Sequence, residues 1–217
     1  MANETCFFSW SGGKDSCLAL DRYLNQYPDS DIILLTMLKE NTQKTTAHGL
    51  SKELLLRQAN ALNKEIILGF SDFSNYEQQW GIELAKLKAS GIHKGIFGDI
   101  DLQAHYDWIK RVLTNFEIEM LMPLWLNNRQ AVVNEFIARA YRAQIISINT
   151  KLMPQQFLGK DINQQTVNEM QALGIDASGE GGEFHSFVYD GPLFKNKVDY
   201  QLGQYYQDGD YLYLELL

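Results

Sequence analysis

Phe7-Phe8-Ser9-Trp10-Ser11-Gly12-Gly13-Lys14-Asp15-Ser16, continued by Cys17-Leu18-Ala19-Leu20, reads as a short buried strand, a glycine turn and the first turn of an amphipathic helix. The paired glycines let backbone approach a ligand closely, because no Cβ intervenes. The helix that follows aims its unpaired N–H groups and positive dipole end at the same spot. An anion placed there meets backbone amides, the hydroxyls of Ser11 and Ser16, and the ammonium of Lys14. Ser9 and Trp10 lead into the turn, and Trp10 could line a ligand pocket beside it. The spacing excludes a Walker loop, since Phe8 stands where its first glycine belongs, and it is not G-x-G-x-x-G. The plain alternative is an ordinary strand-to-helix turn.

Downstream, strands and helices alternate. Asp31–Leu38, Glu65–Phe70 and Lys94–Asp99 read as strands, the first apolar on both faces as a parallel sheet requires. A helix is predicted from Ser51, which caps it, with Leu54, Leu55, Ala59 and Leu62 as its inner stripe. Others carry Trp80, Leu84 and Leu87, and Trp108, Ile109 and Val112. The segment 118–122, a helix over 131–143 and a strand over 144–148 complete the alternation. This order predicts an α/β fold, a doubly wound parallel sheet of Rossmann-like type, with ligands beyond the carboxyl ends of its strands. Gly98-Asp99 lies at such an end. After residue 150 the pattern changes: a helix over 163–173, a polar turn from Ser178 to His185 expected to be flexible, and strands through a Tyr-rich tail. The chain is therefore read as a nucleotide-binding domain over 1–150 and a smaller α+β substrate region over 151–217.

The 217 residues are 45% hydrophobic, which is enough for a sizeable core. A net charge of -8 argues against broad nucleic-acid binding. The two cysteines, Cys6 and Cys17, read as small core residues, and no Cys-x-x-Cys offers a zinc or iron–sulfur site. Met1-Ala2-Asn3-Glu4-Thr5 has neither a basic region nor an apolar run, so no signal peptide is expected. With no apolar run long enough for a membrane span, the cytoplasm is the expected compartment.

Ser11-Gly12-Gly13-Lys14-Asp15-Ser16 after an apolar strand resembles the PP-loop of the ATP pyrophosphatase superfamily, the adenine nucleotide alpha hydrolase-like proteins. Its members split ATP between the α and β phosphates. Glu180-Gly181-Gly182-Glu183-Phe184-His185-Ser186 narrows the resemblance to the diphthine–ammonia ligase branch. Gly98-Asp99-Ile100, Pro123-Leu124-Trp125 and Phe157-Leu158-Gly159 resemble segments of that branch in the same order. The resemblance implies a ligase that adenylates a carboxylate for attack by ammonia. The implied acceptor is diphthine on translation elongation factor 2, with another carboxylate left open because the Gly-Asp-Ile turn resembles a bacterial-type subgroup. Free ammonium is the expected nitrogen source.

Adenylation needs charge neutralisation on the α-phosphate and the departing pyrophosphate, which Lys14, the Gly12 and Gly13 amides and Mg²⁺ could supply. Asp15 could hold the metal or order the loop. Glu180 and Glu183 could contact Mg²⁺, orient ammonium or accept its proton, and His185 could act as base or hydrogen-bond donor. Their plain alternatives are solvated loop charges and a structural histidine. His48 and His105 show no partner in the sequence and are read as solvated. The Tyr-rich tail is read as packed sheet, with a subunit contact as its alternative. Two other functions stay open: a PP-loop tRNA-modifying enzyme, and a nucleotide-binding regulator without turnover.

Overall fold

The apolar run ahead of the glycine turn forms β1 (Thr5–Ser9), with Phe7 and Phe8 wholly buried on its two faces. The structure, a computed structural model, describes residues 4–217; Met1–Asn3, part of the stretch read as lacking a signal peptide, lie outside them. Strand β1 passes through the turn into α1 (Lys14–Gln26). The strands β2 (Asp31–Lys39), β3 (Glu65–Ser71), β4 (Lys94–Ile96) and β5 (Glu119–Leu121) join β1 in a parallel sheet of order β3-β2-β1-β4-β5. Every neighbouring pair is parallel, with Phe7 opposite both Ile33 and Gly95. The helices α3 (Tyr76–Ala89) and α4 (Gln103–Thr114) supply the crossovers that parallel strands need. Phe7, Leu35, Trp80, Leu84, Phe97 and Ile109 share one continuous core there. The sheet order reverses direction at β1 and β4, the place where such sheets bind ligands.

Two compact units divide the chain. The first runs to Ser11 and resumes over Asp15–Thr46 and Lys64–Leu126; the second comprises Gly12–Lys14, Ala47–Asn63 and Asn127–Leu217. The second holds α2 (Lys52–Leu62), α5 (Arg129–Ala138), α6 (Gln164–Ala172) and an antiparallel sheet of order β7-β6-β9-β8. Its strands are β6 (Arg142–Asn149), β7 (Phe184–Asp190), β8 (Leu202–Asp208) and β9 (Tyr211–Leu216). Ser51 caps α2 as expected, its side chain accepting the Leu54 N–H.

Three sequence expectations are corrected. Strand β6 does not extend the parallel sheet; it pairs antiparallel with β7 and β9. Its unbroken burial from Ala143 to Ile148 reflects a central strand covered on both faces, which is not unique to parallel sheets. The change of unit falls after Leu126 rather than at residue 150, because β6 folds with the strands that follow it. Helix α5 stops at Ala138 rather than 143, since Ala140 turns left-handed at φ 62° and β6 begins two residues on. Both cysteines are buried and free. Among the described residues no helix is long and apolar enough to cross a membrane.

Candidate active site

In the first unit, Trp10 hangs its backbone on β2: its N–H donates to Leu35 O at 2.9 Å and its C=O accepts the Thr36 hydroxyl at 2.6 Å. The Trp10 ring is only 2% exposed and meets Phe8 edge-on, so it is a core ring and not an open wall. Ser11 Oγ donates to Ser16 Oγ at 3.0 Å, which brings the two loop hydroxyls together at the start of a 13-residue helix. Asp15 sits in the first turn of that helix, partly exposed. Gly98 follows β4 closely against it: a Cβ there would lie 2.9 Å from Ser16 N and Cα. Asp99 is engaged by His105, whose Nδ1 is 3.2 Å from Asp99 Oδ1. His105 is therefore not the partnerless residue expected.

In the second unit, Gly12 takes φ 81°, a backbone state that side chains resist, and a Cβ would meet Leu50 and Gln58. Its carbonyl accepts from Val188 N at 2.9 Å and Gln58 Nε2 at 3.0 Å. Gln58 is fully buried and also donates to Val188 O at 2.7 Å. Lys14 N–H donates to Ser186 Oγ at 3.2 Å, and Lys14 Nζ donates to Ser178 O while lying 5.3 Å from the Phe184 ring centre. The loop lysine and the start of the acidic turn, 164 residues apart, therefore touch.

That turn is anchored, contrary to the expectation of flexibility. Ser178 N and Oγ both donate to Asp176 Oδ1, Glu180 N to Ser178 Oγ, Gly182 N to Gly179 O, and Tyr211 Oη to Gly182 O. Burial alone would raise the Asp176 carboxyl, yet the Ser178 bonds and the Arg129 ion pair at 2.6 Å hold it below its ordinary value. Gly179 and Gly182 take φ 75° and 83°. The Glu183 carboxylate folds over Gly181, and its Oε2 is buried without a hydrogen-bond donor among the described residues. Glu180 remains partly exposed.

Histidine 48 corrects the reading of it as solvated. Its Nδ1 lies 2.9 Å from Ser186 O, and its ring packs at 4.7 Å on that of His185, which stacks in turn on Tyr211 at 5.8 Å. Burial, and then the charge of Lys14, lower His48 to about 4 against the opposing Ser186 bond. Burial, His48 and Lys14 together hold His185 well below its ordinary value. Both rings are thus neutral near pH 7.

His48 and Gln58 were missed from the sequence. Gln58 carried a signal, a polar side chain within the apolar stripe Leu54, Leu55, Ala59 and Leu62; His48 carried only its place beside Gly49. Among the described residues no three His, Cys, Asp or Glu side chains cluster as a metal site. In the first unit, the paired Ser11 and Ser16 hydroxyls at the start of α1 have the chemistry to donate to phosphate oxygens.

Comparison with known proteins identifies the family. The family profile for the diphthamide synthase N-terminal domain matches residues 5–120, and that for the diphthamide synthase C-terminal domain matches residues 128–216. The human diphthine–ammonia ligase is 31% identical over 94 residues, covering 42% of this chain and 35% of that protein. The Danio rerio enzyme of the same name is 30% identical over 94 residues, covering 37% of its own length. The chain thus spans about a third of the length of these curated relatives. A solved U34-tRNA thiolase from Methanococcus maripaludis, NcsA with its [4Fe-4S] cluster, has a TM-score of 0.42 and 13% identity, over 63% of this chain and 57% of that one. So distant a likeness carries no argument. With one profile covering more than half of the residues and the second most of the rest, the chain belongs to the diphthamide synthase family.

Proposed function

We propose that this chain is a cytoplasmic, ATP-dependent amide ligase of the diphthine–ammonia ligase type. It adenylates an acceptor carboxylate, releasing pyrophosphate, and ammonia then displaces AMP. The observation that carries this reading is the bond from Lys14 Nζ to Ser178 O, which joins the phosphate loop's lysine to the turn bearing Glu180, Glu183 and His185.

The loop supplies the electrostatics. Lys14, the Gly12 and Gly13 backbone and the Ser11 and Ser16 hydroxyls receive the charge of the triphosphate, and a fixed array of donors needs no rearrangement as that charge moves to pyrophosphate. Gly98-Asp99 and Ser9 complete the nucleotide-binding set, and Trp10 holds the loop on β2 from within the core. Asp15 would hold Mg²⁺, which would neutralise charge on the phosphates. The acidic turn supplies the acceptors. Ammonium must lose a proton before its nitrogen can attack, and the undonated Glu183 Oε2 would take a hydrogen bond from it. The His185 ring, neutral near pH 7, can accept that proton to release ammonia for the attack, while Glu180 orients the incoming cation.

The acceptor we propose is diphthine on elongation factor 2. The test is incubation of diphthine-bearing factor with the protein, ATP, Mg²⁺ and nitrogen-15 ammonium, followed by mass spectrometry of the modified histidine. Conversion of its carboxylate to labelled amide is expected. AMP formation with this factor left unmodified would reject diphthine as acceptor.

A further inference from the structure

The edge of His48 lies over the second glycine of the loop. A Cβ on Gly13 would sit 2.5 Å from His48 Cε1 and 3.3 Å from its Nδ1. Only glycine fits beneath this ring. The Nδ1 approach to Ser186 O makes Nδ1 the protonated nitrogen, because a carbonyl can only accept. The lone pair is then on Nε2, which is bonded to the same Cε1 that lies over Gly13. Ser186 ties both sides together: its carbonyl takes the His48 proton donor and its hydroxyl takes the Lys14 N–H. The His185 ring covers His48 at 4.7 Å, with Tyr211 behind it.

A bare lone pair beside a phosphate loop is repelled by a phosphate oxygen; a protonated nitrogen there is attracted. The geometry points to His48 as a ligand of the pyrophosphate end of the nucleotide, protonated at Nε2 as the anion arrives and donating that N–H to a phosphate oxygen. The proton comes from water, and no bond to carbon or phosphorus changes. This rests on the loop being the phosphate site. The groups acting on the ring are consistent with it. Lys14 and burial disfavour a cation there when the loop is empty, and a polyanion beside Lys14 reverses the first of these. Neither ring packed on that side, His185 or Tyr211, brings a carboxylate against His48. His48 would thus switch from neutral to charged only in the loaded state, and return its proton when pyrophosphate leaves.

The test is nitrogen-15 NMR of the histidine rings near neutral pH, titrating the full chain with inorganic pyrophosphate, with calorimetry for affinity. His48 is expected to give the neutral, Nδ1-protonated pattern alone and the imidazolium pattern at saturation. His48→Asn keeps a donor for Ser186 O but has no Nε2, and is expected to bind pyrophosphate about tenfold more weakly. Pyrophosphate bound with His48 still neutral would overturn the inference and leave the phosphate loop standing, as would wild-type affinity in His48→Asn. No pyrophosphate binding by the folded wild-type chain would overturn the loop reading itself. Should His48→Asn not fold, the ring spectrum of the wild type decides alone.

Discussion

The two glycine turns of this molecule, Gly12-Gly13 and the stretch from Ser178 to Glu183, use the same residue for opposite ends. The first precedes a helix, so glycine backbone, serine hydroxyls and Lys14 accumulate as donors. The second precedes strand β7, and it presents acceptors: the Ser178 carbonyl, the undonated Glu183 Oε2 and the Ser186 carbonyl just beyond. A donor turn suits a polyphosphate, whereas an acceptor turn suits ammonium. The Lys14 bond to Ser178 O joins the two, and the proposed ligase would use them to hold an anion and a cationic nucleophile side by side.

The comparison breaks most completely at the donor turn. Lys14→Ala is expected to lower AMP formation by about a thousandfold, the scale on which fixed transition-state donors act, while circular dichroism stays native. On the acceptor side, Glu183→Gln keeps size but not charge. It is expected to cut amide formation about a hundredfold with ATP affinity, read by calorimetry, unchanged. Equal loss of ATP binding would mean that the turns are not divided by charge.

A third expectation concerns backbone clearance. Gly98→Ala places a Cβ 2.9 Å from the Ser16 backbone, which cannot swing aside as a side chain could, so about 2–3 kcal/mol of stability should be lost in urea denaturation.

The pH dependence sharpens the picture further. His48 titrates at about 4 in the fold and near its ordinary 6.5 when unfolded. As pH falls through 6.5 the unfolded chain takes the proton first, so stability declines from there to about pH 4 and then levels. The loss from this residue is at most about 3 kcal/mol. His185, shifted the same way, adds to it. His48→Asn should flatten the decline seen in urea midpoints between those pH values. The smallest effect is a control at a helix cap outside both turns: Asn163→Ala, which removes the α6 cap bond from Thr166 N, should cost about 1 kcal/mol and leave ATP binding unchanged.

The donor turn was legible because its chemistry is contiguous: strand, glycines, lysine and helix follow one another in ten residues. The parallel sheet was legible for the same reason, each strand and helix declaring its own period. What escaped the sequence was assembled across distance. His48 gained its meaning from Ser186, 138 residues on, and Gln58 from Val188, 130 residues on. Strand β6 was assigned to the wrong sheet because burial on both faces records coverage, not the direction of the neighbouring strands. His105 looked solvated because its partner, Asp99, lies across the start of α4. Residue types announced the acidic turn, but not its rigidity, which comes from Asp176, Arg129 and Tyr211.

The most direct test of adenylation is phosphorus NMR of ATP and Mg²⁺ with the protein, ammonium and the diphthine-bearing acceptor, with Lys14→Ala alongside. The account predicts AMP and pyrophosphate, dependent on the acceptor and lost in the variant. ADP and inorganic phosphate as the products would contradict it.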